Sequence, residues 1–307
     1  MLEAAVVAAR IVQFLAAMML FGTPLFLLYG LKPPLAAVPG AARPLLAICA
    51  GALAIAALAA LMAQTAVMAA DPAAAFDRET LASVVAGSAF GMAIVVRSLA
   101  AIAALIAAVS LRPGRGAWSV LAALGSVILT SFAWSGHGAA EEGASGWIHA
   151  VADIVHLLAA GVWLGALAGL AMLLSQTGQR GAPAAWRVLH DGLAAFSGIG
   201  AAVVAAIVAS GLVNSWFLVG PAHIWAMGAS PYGQLLLLKL ALFAAMLGLA
   251  TVNRYLLTPA LARGLTAGDA GAAVASLRRS IAVETAAGAL VLALVGVLGT
   301  LQPLTAQ

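Results

Sequence analysis

The chain of 307 residues is 64% hydrophobic and only 8% charged, with a mean hydropathy of +1.11. Soluble domains run at about 45–50% apolar and about 25% charged, so this composition excludes a soluble protein and fits an integral membrane protein. The net charge of +4 gives no basis for a nucleic-acid partner, and the single cysteine, Cys49, excludes an internal disulfide or a cysteine metal cluster.

Eight apolar stretches are each long enough, near ~20 residues, to cross a hydrocarbon core as helices. They fall near 5–29, 45–69, 89–111, 117–135, 147–173, 193–219, 232–257 and 280–301. Period-2 alternation is absent, which sets aside a β-barrel. No polar block is long enough to fold apart, so residues 1–307 read as a single all-α membrane domain. Glu3 and the long run after Arg10 predict that the first helix is not a cleaved signal. Pro24 is placed to kink that helix, whereas Pro231 and Pro259 read as helix ends. Segment 71–88 reads as a short interfacial or re-entrant element.

Loop charges orient the bundle. Lys32, Arg43, Arg112, Arg115, Arg180, Arg187, Arg263, Arg278 and Arg279 follow odd-numbered helices, while only Arg78 follows an even-numbered one. The positive-inside rule therefore predicts cytoplasmic odd loops and both termini on the opposite, periplasmic side.

Polar and ionisable residues inside membrane helices are costly, and the ionisable ones mark functional paths by default. Gln13, Arg97, His149, Asp153, His156, Asn214, Lys239, Asn253, Arg254 and Glu284 are the intramembrane polar positions, with Arg10 at an outer edge. The densest group lies in 147–167, WIHAVADIVHLLAAGVWLGAL, where His149, Asp153 and His156 fall within about 60° on one helical face. The two histidines are about 10 Å apart along the axis, too far to share an ion, so the stripe reads as two stations, each completed by other elements. Imidazole suits copper, zinc, iron or nickel; Asp153 is a ligand or the partner that fixes a histidine tautomer. The alternative is a hydrogen-bond network that locks helices together.

His137, in WSGHG at 134–138, can fold back toward His149 across the loop holding Glu141 and Glu142. His190 and His223 read as interfacial. Lys239 is expected to meet Asp153, and Arg254 to meet Glu284; Arg97, Asn253 and Arg254 take structural or gating roles. Met18, Met19, Met62, Met68, Met92 and Met246 form no Met-x-x-x-Met pair and read as packing. No phosphate-binding loop, zincin motif or hydrolase elbow occurs, which points away from an enzyme and from ATP-driven transport within the chain.

WSGHG, 149–167, SGLVNSWFLVG at 210–220, the 232–259 block and ETAAGALVLALVGVLGTLQP at 284–303 together resemble the bacterial copper resistance protein D family. The resemblance implies copper uptake, tolerance or homeostasis at the inner membrane, with copper ions as cargo and a separate periplasmic carrier of the copper resistance protein C type as partner. It makes His137, His149, Asp153 and His156 the candidate copper-binding residues. Two other readings stand beside it: a b-type haem protein with histidine axial ligands, and a scaffold that docks a copper carrier without transporting.

Overall fold

The computed structural model describes residues 2–32, 39–135, 143–180 and 183–306. Those residues are helical throughout, and eight helices are long and apolar enough to cross a membrane. In chain order they are α1 (Leu2–Gly30), α2 (Ala42–Ala69), the short α3 (Arg78–Gly87), α4 (Ala89–Ser110), α5 (Arg115–Ser131), α6 (Gly143–Arg180), α7 (Pro183–Leu218), α8 (Pro231–Val252), the short α9 (Thr258–Ala267) and α10 (Gly271–Leu298).

Each expected stretch corresponds to one of the long helices, but α6, α7 and α10 run past the expected limits. A helix satisfies its own backbone in water as well as in lipid, so hydropathy marks the apolar crossing and not the helix end. Arg187, His190 and Asp191 extend α7 in this way, as Arg278 and Arg279 extend α10. Pro24 sits inside α1 without ending it. Pro259 does not end the path either: a π turn, Asn253–Leu257, joins α8 to α9, with Pro259 in the first turn of α9.

Segment 71–88 is built of short capped helical pieces between α2 and α4. Asp71 caps a 3-10 turn, Pro72–Phe76, by accepting from the Ala73 N–H at 2.9 Å. Asp77 caps α3 by accepting from Thr80 N–H at 2.8 Å and from the Thr80 hydroxyl at 2.5 Å. Those two bonds hold the exposed Asp77 carboxyl below its ordinary range. Ser88 then caps α4 through the Gly91 N–H at 3.0 Å. Trp134, Trp147, Trp216 and Trp225 are exposed at this same end, as an aromatic belt at a membrane interface would be.

α1 is the hub. It packs on α2 and α5 on one side and on α6 and α10 on the other. The α1–α6 crossing is backbone on backbone: a Cβ at Gly22 would lie 1.8 Å from the Gly161 carbonyl oxygen, and one at Gly165 would lie 2.0 Å from the Gly22 carbonyl carbon. Gly161, Gly165 and Gly169 are spaced by four residues, the small-residue pattern that lets membrane helices approach closely. This crossing fixes where the face of α6 that carries His149 points. At the opposite end Arg43 of α2 closes α4, donating from Nε to Ala108 O at 2.6 Å and from Nη2 to Val109 O, which satisfies two terminal carbonyls.

Candidate functional site

α6 with α7 forms one wall, α8 with α10 the other, and α1 closes the back of a cavity of about 390 Å³. Arg10, His149, Asp153, Asn214, Lys239 and Gly299 line one end, nearest the chain termini. His156 stands about 10 Å further along α6 than His149. Met18, Trp163, Met246 and Gly288 line the far end, each about two turns beyond a polar residue of its own helix or facing one that is. The remaining wall is largely apolar, so a few polar groups set the chemistry of a greasy space.

His156 is held by α7. Its Nδ1 lies 3.2 Å from the Ile207 carbonyl oxygen and 3.1 Å from the Ser210 hydroxyl, which itself donates to Ala206 O at 2.5 Å. A carbonyl only accepts, so Nδ1 carries the proton and Nε2 keeps its lone pair. That is the arrangement in which metal-binding histidines are oriented by a carbonyl on the other ring nitrogen. Gly211 makes room for the ring: a Cβ there would already touch His156 Cε1 at 3.4 Å.

His149 is only 3% exposed and stacks on Phe217 of α7, with centroids 4.7 Å apart and planes 5° from parallel. Asp153 accepts from Asn214 Nδ2 at 3.3 Å, and His149, Lys239 and Arg10 line the same cavity. Lys239 of α8 lines the same cavity as Asp153. The three members of the stripe are brought to one cavity, but among the described residues no group of three His, Cys, Asp or Glu closes around a point. His137, Glu141 and Glu142 lie outside the described residues.

Other expectations are redistributed. Glu284, 1% exposed, takes hydrogen bonds from Trp163 Nε1 at 2.7 Å and Asn253 Nδ2 at 2.9 Å, so its partner is Asn253 and not Arg254. Arg254 is exposed, with its guanidinium 5.4 Å from the Tyr255 ring centroid. Asn253 and Arg254 are adjacent at the start of the π turn, about 100° apart around the helix, so the side chain that meets Glu284 is Asn253 while Arg254 is exposed. Arg97 stays out of the cavity. It is 2% exposed, lies over Phe132 at 3.7 Å, and donates to Ser131 Oγ at 3.0 Å, Gln13 Oε1 at 2.6 Å and Ser135 Oγ at 2.9 Å.

Three cavity residues escaped the reading of the sequence. Arg10 looked like an edge residue, yet it lines the cavity, with its guanidinium against Gly299, where a Cβ would lie 2.0 Å from Arg10 Nη2. An arginine more than two turns into an apolar helix was the available signal. Met18 and Met246 looked like packing; both line the cavity's far end, although neither belongs to a Met motif. Of the other described histidines, His190 lies 3.8 Å from Asp191 at the surface and His223 binds the Val219 carbonyl at 3.1 Å. Among the described residues, no two helices therefore oppose histidines across the cavity as bis-histidine haem ligation requires.

Residues 1–147 match the family described as copper resistance protein D-like, N-terminal domain, and residues 192–298 match copper resistance protein D. The His149–His156 stripe lies between the two matched stretches. The chain is 42% identical over 214 residues to copper resistance protein D of Pseudomonas syringae pv. tomato, covering 69% of this chain and 68% of that protein. It is 31% identical to inner membrane protein YebZ of Escherichia coli strain K12, over 55% of this chain and 54% of the relative. It is 30% identical to copper transport protein CutJ of Bacillus subtilis strain 168, over 60% of this chain but 32% of that longer relative. No solved structure matches. With eight membrane-length helices and these relatives, the chain is a multi-pass membrane protein that belongs to the copper resistance protein D family.

Proposed function

We propose that the chain relays or transports copper across the inner membrane, as a non-enzymatic step, with His149, Asp153 and His156 receiving the ion. The observation that carries this is His156: Nδ1 is committed to the Ile207 carbonyl, which leaves Nε2 as a fixed lone pair on a cavity wall. Copper is the cargo. It enters from the end that carries the termini, which the loop charges put in the periplasm, and a separate carrier of the copper resistance protein C type delivers it. Asp153 offers the negative charge near the entrance, and His137 belongs to the same entrance on sequence grounds. Met18 and Met246 supply thioethers further in, a ligand type suited to Cu(I).

The whole chain acts as one membrane domain in this reading. The cavity takes Arg10 and Met18 from the first matched stretch, Asn214 and Lys239 from the second, and the stripe from between them. Lys239, Arg97, Glu284, Asn253 and Arg254 support the helices around the path. The name of the Bacillus subtilis relative, a copper transport protein, agrees with transport in preference to docking alone.

The test is copper uptake into proteoliposomes. His156→Ala is expected to lower the uptake rate at least tenfold while the protein remains monodisperse, and His156→Gln, which keeps a polar side chain without an imidazole lone pair, should fail equally. Uptake unchanged in both variants would remove His156 from the path.

A further inference from the structure

The cavity is far larger than an ion requires. A single water-sized site needs roughly 10–15 Å³, whereas about 390 Å³ lies within the 300–1,000 Å³ range of sites for organic ligands. It also carries two cationic side chains on its wall. Arg10 and Lys239 both line it, against the one carboxylate of Asp153, and the Arg10 Nε is buried without a hydrogen-bond partner among the described residues. An unpaired buried cation donor is costly, and an anion is what relieves that cost.

The cavity also opens sideways. α7 and α8 follow one another in the chain but do not pack together extensively, because each leans on a different wall. Val208 and Leu212 of α7 and Leu240 of α8 line the cavity and are nevertheless 42%, 68% and 46% exposed. Those exposed side chains face the hydrocarbon in a membrane-spanning bundle, so the gap between the two helices is a doorway from the lipid phase.

From volume, charge and opening together we infer that the cavity binds a single-chain amphiphilic carboxylate drawn from the bilayer. The carboxylate meets Arg10 and Lys239, and the chain leaves between Val208, Leu212 and Leu240. A carboxylate complements the Arg10 guanidinium, whose Nε lacks a hydrogen-bond partner among the described residues. A two-chain phosphodiester lipid shares the charge, and the test separates it from a single-chain carboxylate. This inference does not rest on copper transport, and it holds whether or not an ion passes the same residues.

The test uses the full chain in maltoside micelles with cis-parinaric acid as the fluorescent probe, and micelles alone subtracted. Binding is expected to saturate and to be displaced by palmitate but not by methyl palmitate. Lys239→Gln and Arg10→Gln should each weaken the Kd at least tenfold. Leu212→Trp, which fills the doorway from an exposed position and leaves both cations in place, should weaken it at least fivefold and guards against misfolding of the charge variants. Equal displacement by methyl palmitate would overturn the inference, as would displacement by phosphatidylglycerol at the same concentration as palmitate. Wild-type affinity in Leu212→Trp would overturn the lateral route.

Discussion

Two arginines inside the helix bundle divide the molecule. Arg97, between α4, α5 and α1, has each nitrogen of its guanidinium on a hydroxyl or amide oxygen and an aromatic ring beneath it. Arg10, on the cavity side of the same α1, has a buried Nε without a hydrogen bond and only a distant ring, Phe14, at 5.9 Å. A cation saturated by its own protein locks helices; a cation left short of partners beside an open volume is poised for a ligand. The difference teaches that intramembrane charge alone does not mark function. What matters is whether the surrounding helices already supply the hydrogen bonds.

The sharpest way to break that contrast is to pull α6 away from α1. Gly165→Val puts side-chain atoms where the Gly22 backbone already lies, so both regions should be lost together. Overpacking costs about 1–3 kcal/mol in ordinary cores, and a backbone-on-backbone crossing belongs at or above the top of that range. Thermal unfolding in detergent should show a large fall in Tm, with little monodisperse protein recovered. A normal melt would mean that the crossing is not what sets the position of α6.

Arg97→Met tests the saturated side alone. It removes three hydrogen bonds and leaves Gln13 Oε1 without its donor, a loss of about 2–3 kcal/mol for bonds to a charged group. Denaturation should register that loss, while copper uptake per folded molecule stays near wild type. Loss of uptake with unchanged stability would reverse the assignment of the two arginines.

The smallest effect is expected at the interface, far from both. Asp77→Ala removes the α3 cap and should speed amide exchange in residues 78–81 without altering the bundle. Because folding lowers the Asp77 pKa, its contribution is fully present at neutral pH and is lost as the pH falls through that lowered value. Protection in α3 should therefore fade in acid in the wild type and be flat with pH in the variant.

Much of the candidate site was legible beforehand because helical spacing is local. His149, Asp153 and His156 share a face by arithmetic, and that face does line the cavity. Partnerships between helices were less legible. Lys239 reaches the Asp153 cavity as its depth suggested, yet Glu284 pairs with Asn253 and Trp163, at the π turn that follows α8. Nothing in NRYLL announces that turn, since it costs one hydrogen-bond register and carries no distinctive composition. Arg10 and Met18 were misplaced for a similar reason: which face of α1 is inward depends on where α6 and α10 sit.

By itself the sequence determined the membrane class, the number of long helices, the polar face of α6 and the clustering of basic residues at one end. Each of these follows from hydropathy, length or the helical period, all of which are properties of one segment in one solvent. Only the tertiary structure decided which arginine is locked and which is left wanting, that α7 and α8 part to open a cavity, and which nitrogen of His156 faces it. Those depend on how closely α1 and α6 meet at Gly22 and Gly165, and that contact sets the position of every wall built on them.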